Sequence, residues 1–314
     1  GCTATERDAA QLRTPEGALL NTDPDLSYDL DQFSTAVLND DNRELFVQDS
    51  MNIFRRFPRE MTSEMVRFYT EALALRALNP IQLTSTQQMI LTGVGSGQVK
   101  LSAGQQGNRS YDLSGGWNGG TGIRYLSLTY PDANTVRQRF EDAGLEPPVL
   151  TRRSNGTHSG WVTDPAGLTI EITTGNGFRD HSDDGVGVGI GVSDMEASRA
   201  FYREFVGLDE LPAQESAALD VNRYPFRHGE TTIYLHQVAT GGSADTGSSG
   251  IQYVVKDAAM VDARARHRNV PVETPLNRLD GFDLTTIWVN DPDGVTNNFA
   301  QVGPGSRTAQ ERAN

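Results

Sequence analysis

Between Gly185 and Leu208 the chain alternates strictly. Val186, Val188, Ile190 and Val192 interleave with Gly187, Gly189 and Gly191. A period of two predicts a strand with one apolar face and one face almost bare of side chains. Asp194 follows, a residue whose carboxylate can accept an orphan N–H at a helix start. Ala197, Phe201 and Phe205 then recur at helical spacing, and Gly207 suits the left-handed residue that closes a helix.

This strand-then-helix unit returns along the chain in weaker form. In a first module, Met51–Pro58 reads as a strand and Thr62 as the cap of a helix with Met65, Phe68, Tyr69, Ala72 and Leu73 on one stripe. Strand-like runs follow at Ile81–Ser85, Met89–Gly93 and Gln98–Ala103. A second module has a strand at Ile123–Thr129 and a helix capped by Asp132 and closed by Gly144. Its further strands are Pro147–Thr151, Ser159–Thr163 and Thr169–Thr173. The opening stretch heads a third module that continues with Ala217–Asn222, Tyr224–His228 and Thr231–Val238. A fourth has Ile251–Val255, a helix capped by Asp257 with Asn269 at its close, then Val272–Thr274, Thr285–Val289 and Asn297–Val302. Phe68-Tyr69 recurs as Phe201-Tyr202, and the turn Asp164-Pro165-Ala166-Gly167 as Asp291-Pro292-Asp293-Gly294. Four passes of one pattern, themselves paired, are an internal repeat. The expected division is a polar arm or tether over 1–45, a first domain over 46–176 and a linker over 177–184. A second domain covers 185–303 and a polar tail 304–314.

Composition narrows the partners. The 314 residues carry a formal net charge of −14, which argues against nucleic acid as a main partner. No run approaches the about 20 apolar residues of a membrane-spanning helix. The single cysteine, Cys2, rules out an intrachain disulfide. Gly1-Cys2 ahead of a polar run is similar to the processed start of a bacterial lipoprotein. On that expectation the protein is exported and its one membrane contact is a lipid anchor at Cys2; otherwise Cys2 is an ordinary thiol on a soluble protein.

The segments FYTEALAL (Phe68–Leu75), FYREFVGL (Phe201–Leu208) and YLSLTYPDA (Tyr125–Ala133) resemble the vicinal oxygen chelate superfamily, as do VTDPAGLTIEI (Val162–Ile172) and VNDPDGVTNNF (Val289–Phe299). This is the superfamily of glyoxalases, bleomycin resistance proteins and extradiol dioxygenases. The resemblance covers about residues 50–303. It implies an α+β fold of four βαβββ modules, forming two tandem domains whose mixed sheets curl around clefts. It also implies a divalent metal, held by side chains on the first and fourth strands of each module, that acts as a Lewis acid on a chelating substrate.

At the first-strand positions this chain has Phe54, Tyr125, Gly187 and Gly250. At the fourth-strand positions it has Lys100, Glu171, Tyr234 and Asn298. Glu171 alone among these is a good ligand for a divalent metal, so the metal chemistry does not carry over by motif, and no cofactor is expected. A Glu171–Lys100 pair across a cleft is one expectation, as an ion pair or as a polar anchor for a ligand. His236, two residues beyond Tyr234, belongs on the same face of its strand, where it is either an acid–base group or a hydrogen-bonded core histidine. The alternating glycines leave space for a bulky ligand, for an aromatic such as Tyr234, or for a packed neighbour.

Three functions stay open. The preferred one is a metal-independent protein that binds a small organic ligand at Phe54, Lys100, Tyr125, Glu171, Gly187, Tyr234, His236, Gly250 and Asn298. The second is a lyase, isomerase or dioxygenase with a divalent metal displaced to Glu171 and His158. The third is a structural or interaction module. A homodimer stays open under all three.

Overall fold

The computed structural model describes residues 20–21, 28–82, 88–105, 107–180, 184–279 and 282–303. Cys2, His181, the start of the polar arm and the tail from 304 lie outside them.

Each module begins as its pattern requires. The four leading strands are Asn52–Phe57, Gly120–Tyr130, Gly187–Val192 and Ser249–Val255. The helices that follow span Thr62–Arg67, Ala133–Asp142, Met195–Ala200 and Ala258–His267. Asp132, Asp194 and Asp257 cap the last three, accepting from the N–H of Thr135, Ala197 and Met260 at 2.9, 3.0 and 3.0 Å. Gly144, Gly207 and Asn269 take left-handed backbone at the far ends, with φ of 73°, 93° and 55°. Thr62 departs from expectation. It lies inside its helix after a 3-10 turn, and its hydroxyl donates back to the Arg59 carbonyl at 2.6 Å. Both Phe-Tyr motifs open into π-helix, over Phe68–Ala72 and Phe201–Val206. The expected strand over Pro147–Thr151 is reduced to Thr151–Arg152.

The architecture is α+β, with two curled mixed sheets. One joins the first module to the fourth through antiparallel pairing of their leading strands, Gly250 opposite Phe54. The other joins the second to the third, Gly187 opposite Ser127. Each leading strand would be an open sheet edge without its partner. Each cup therefore draws modules from both the 46–176 and the 185–303 stretch, and Glu171 and Lys100 fall in different sheets. The expected Glu171–Lys100 pair does not form.

The two modules within each stretch, first with second and third with fourth, meet through helices and turns instead. Phe68 packs edge-on to Phe140 at 5.8 Å between ring centres. Asp164, in the second module's turn, takes Arg55 Nε at 2.8 Å and the Tyr69 hydroxyl at 2.7 Å, both from the first. The matching Asp291 takes the Tyr202 hydroxyl at 2.8 Å. One apolar core runs through all four modules. The described part of the polar arm closes over the fourth module's helix: Arg264 donates to the carbonyls of Val37 and Asp41 and to Glu44.

Candidate functional site

In the second–third cup, Glu171 stands beside Ser127 in the sheet, and Ser127 Oγ donates to its Oε1 at 2.6 Å. Ser216 Oγ donates to Oε2. Arg223 reaches both oxygens from the third module, at 3.0 and 3.2 Å, and donates to the Tyr125 hydroxyl at 3.2 Å. Its guanidinium carbon lies 3.8 Å from the centre of the Tyr234 ring. Glu171 and Arg223 are both buried. A carboxylate withdrawn from water needs a cation and further donors, and this one has all of them. Burial alone would lower the Arg223 pKa, but Tyr125 and Glu171 outweigh it and push it up. Burial pushes the Tyr125 hydroxyl above the usual phenol range.

The glycine face is filled rather than open. A Cβ at Gly189 would stand 2.0 Å from the Tyr125 ring, and one at Gly187 would stand 2.7 Å from Tyr234. Of the occupants the sequence allowed, aromatic side chains are the ones present. His236 shares the Tyr125 face, 5.8 Å between rings, and is fully buried. Its Nε2 meets the Trp117 carbonyl at 2.7 Å, its Nδ1 has no partner, and burial holds its pKa below the usual histidine range.

The first–fourth cup is built from amides, cations and rings. Lys100 Nζ donates to Gln252 Oε1 at 2.7 Å, and Asn52 Nδ2 to the same oxygen at 3.0 Å. Gln252 Nε2 donates to Asn298 Oδ1 at 2.9 Å. Phe54 stacks on Trp288 at 5.4 Å, flanked by Lys100 and Arg56 at 5.5 and 5.2 Å from its ring centre. Around Gly250 a Cβ would meet nothing nearer than 3.4 Å.

Sheet register moves three of the four expected corners. Glu171 is level with Ser127, not Tyr125, Tyr234 with Gly189, not Gly187, and Asn298 with Gln252, not Gly250; only Phe54 and Lys100 are level. Strand alternation contained all three, since each lies two residues on along the same face. Arg223, Ser216 and Trp288 carried no such signal, because they reach the cups from other strands, whereas Asn52 lies two residues before Phe54 on the same leading strand and face. His158 is not beside Glu171. It pairs in register with Thr174, while Glu171 pairs with Trp161. His158 instead helps line an outer cavity of about 590 Å³ with Asp132, Arg137 and Arg152.

Neither donor set fits a divalent ion. The Glu171 oxygens are engaged by two hydroxyls and a guanidinium, and the corner facing them is glycine. In the other cup the Gln252 and Asn298 oxygens already accept hydrogen bonds, and an ammonium sits among them. A ligand set for a divalent metal wants free anionic or imidazole donors, not a fixed positive charge in their midst. Among the described residues no group of three or more His, Cys, Asp or Glu side chains is placed to hold a metal.

Residues 186–299 match the family model of the Glyoxalase/Bleomycin resistance protein/Dioxygenase superfamily. The fold is similar to that of glyoxalase I from Zea mays, at 17% identity and a TM-score of 0.60, over 80% of this chain and 92% of that one. It is also similar to a putative dioxygenase from Bacillus subtilis, at 17% identity and a TM-score of 0.58, over 81% and 85% of the two chains. No curated protein sequence matches the chain.

Proposed function

We propose that this chain, a member of the vicinal oxygen chelate superfamily, binds a small organic ligand in its first–fourth cup without a metal ion. The second–third cup is its structural counterpart, filled by its own side chains. The observation that carries this reading is the charge at the corners. Arg223 in one cup and Lys100 in the other put a permanent cation where the superfamily's chemistry calls for a bound one. Arg223 is ion-paired to Glu171 and packed by both tyrosines, so the charge in its cup is matched, although Arg223 Nε and His236 Nδ1 are buried there without a partner among the described residues. The first–fourth cup retains buried groups with no partner, among them Asn52 Oδ1 and Trp288 Nε1. Buried polar groups are nearly always matched, so such a cluster marks where a ligand or water belongs.

A second reading makes both cups structural. It is favoured by the burial of Phe54, Lys100, Tyr125 and Glu171 alike. A thermal-shift screen of small organic compounds in the presence of chelator separates the two. The binding reading expects at least one compound to raise the melting temperature and to lose that effect when Trp288 is replaced by Phe. No stabilisation by any compound leaves the structural reading standing.

A further inference from the structure

We infer that the first–fourth cup recognises the carboxylate of a small organic acid through the fork of Arg109, a deepening that rests on the ligand-binding reading above. Arg109 lies on the coil between the first and second modules, and its side chain is 5% exposed. Its Nε donates to Glu273 Oε1 at 2.6 Å, and Thr296 Oγ1 donates to the other oxygen of Glu273 at 2.8 Å. The Nη1 and Nη2 groups are buried and have no partner.

A guanidinium with its far edge unmatched away from water is costly, because buried donors to a charged group lose hydration without replacement. Two parallel N–H groups in one plane match the two oxygens of a carboxylate. The Arg109 guanidinium lies 5.7 Å from the Trp288 ring, whose Nε1–H is also buried without a partner. Three kinds of observation converge on this wall of the cup. The unmatched donors ask for an anion. Arg56 and Lys100 lie against the adjoining Phe54 ring, each with further contacts of its own, and Glu273 pairs with Arg109. Phe54, Met89, Leu91 and Trp288 form a small apolar cluster separate from the main core. A charged head beside an apolar flank fits an organic acid better than an inorganic oxyanion. Asn108 and Ser110 on either side of Arg109 are exposed, so the backbone that carries Arg109 borders solvent, while Ser110 is anchored to Thr246.

The test titrates the full chain with sodium benzoate, benzamide and inorganic phosphate by calorimetry and thermal shift, with Arg109→Gln and Trp288→Phe as variants. Benzoate is expected to bind and raise the melting temperature while its neutral isostere benzamide does not. Arg109→Gln is expected to weaken benzoate by about tenfold or more, the scale of lost hydrogen bonds to a charged group. Should that variant fail to fold, Trp288→Phe must still weaken benzoate severalfold. Equal binding of benzamide, undiminished benzoate affinity in both variants, or binding of phosphate alone would each overturn the assignment. If neutral compounds bind this cup and no carboxylate does, the ligand class falls and the binding reading survives. If neither these probes nor any compound of the screen above binds, both fall.

Discussion

The two cups share a frame and differ in how their charges are matched. In the second–third cup the Glu171 carboxylate and the Arg223 guanidinium face each other, with hydroxyls and tyrosine rings around them. In the first–fourth cup Arg56, Lys100 and Arg109 lie around a Phe–Trp stack with amides, and Glu273 accepts from Arg109 at one oxygen and from Thr296 at the other, leaving the Arg109 Nη groups unmatched among the described residues. The same comparison recurs at the repeated turns. Asp164 is held by the buried cation Arg55. Asp291 occupies the equivalent turn with a tyrosine hydroxyl and backbone N–H groups but no ion pair among the described residues. The repeat preserves shape, because strand period, caps and turns are local. It does not preserve electrostatics, because the partner of a buried charge comes from a different module each time.

The sharpest way to break the comparison is to break the matched pair. Glu171→Ala leaves Arg223 buried and uncompensated and should cost about 3–5 kcal/mol in urea unfolding. Arg109→Gln removes a guanidinium that is already half unmatched and leaves Glu273 within reach of water. Its effect should stay within about 1 kcal/mol. Similar losses for the two variants would erase the distinction between the cups.

Steric contrast comes next. Gly189→Ala drives a methyl into the Tyr125 ring and should cost about 1–3 kcal/mol, whereas Gly250→Ala meets ordinary contacts and should cost less than about 1 kcal/mol. An unchanged melting temperature for Gly189→Ala would mean the tyrosines do not fill that face.

A smaller effect distinguishes the turns. Burial pushes the Asp291 carboxyl up from 3.8 to about 7. A carboxyl whose folded pKa exceeds its unfolded one holds its proton more tightly when folded. It therefore costs nothing below about pH 4, and its cost grows as the pH rises toward 7. Asp291→Asn should gain stability relative to the wild type across that window and flatten above it. Melting temperatures measured from pH 4 to 8 check this, and a constant difference would contradict it.

Much of this frame was legible in the sequence. Asp132, Asp194 and Asp257 declared three helix starts, and Gly144, Gly207 and Asn269 their ends, because capping is settled within a few residues. The Gly187–Val192 alternation declared a strand. Which modules share a sheet was not legible, since leading strands pair across long stretches of chain with no local mark. The site suffered from the same blindness. Glu171 stood out as a lone carboxylate, but Arg223 is a cation like many others until folding places it on both Glu171 oxygens. Gln252 was missed by one step of strand alternation, an error of register rather than of face.

The central claim is that side-chain cations have taken the place of a metal in these cups. Calorimetric titration of chelator-treated protein with Zn²⁺ and Mn²⁺, alongside the Glu171→Gln variant, tests it most directly. The account predicts no saturable binding that depends on Glu171. One equivalent of either ion bound by the wild type and lost in Glu171→Gln would contradict it.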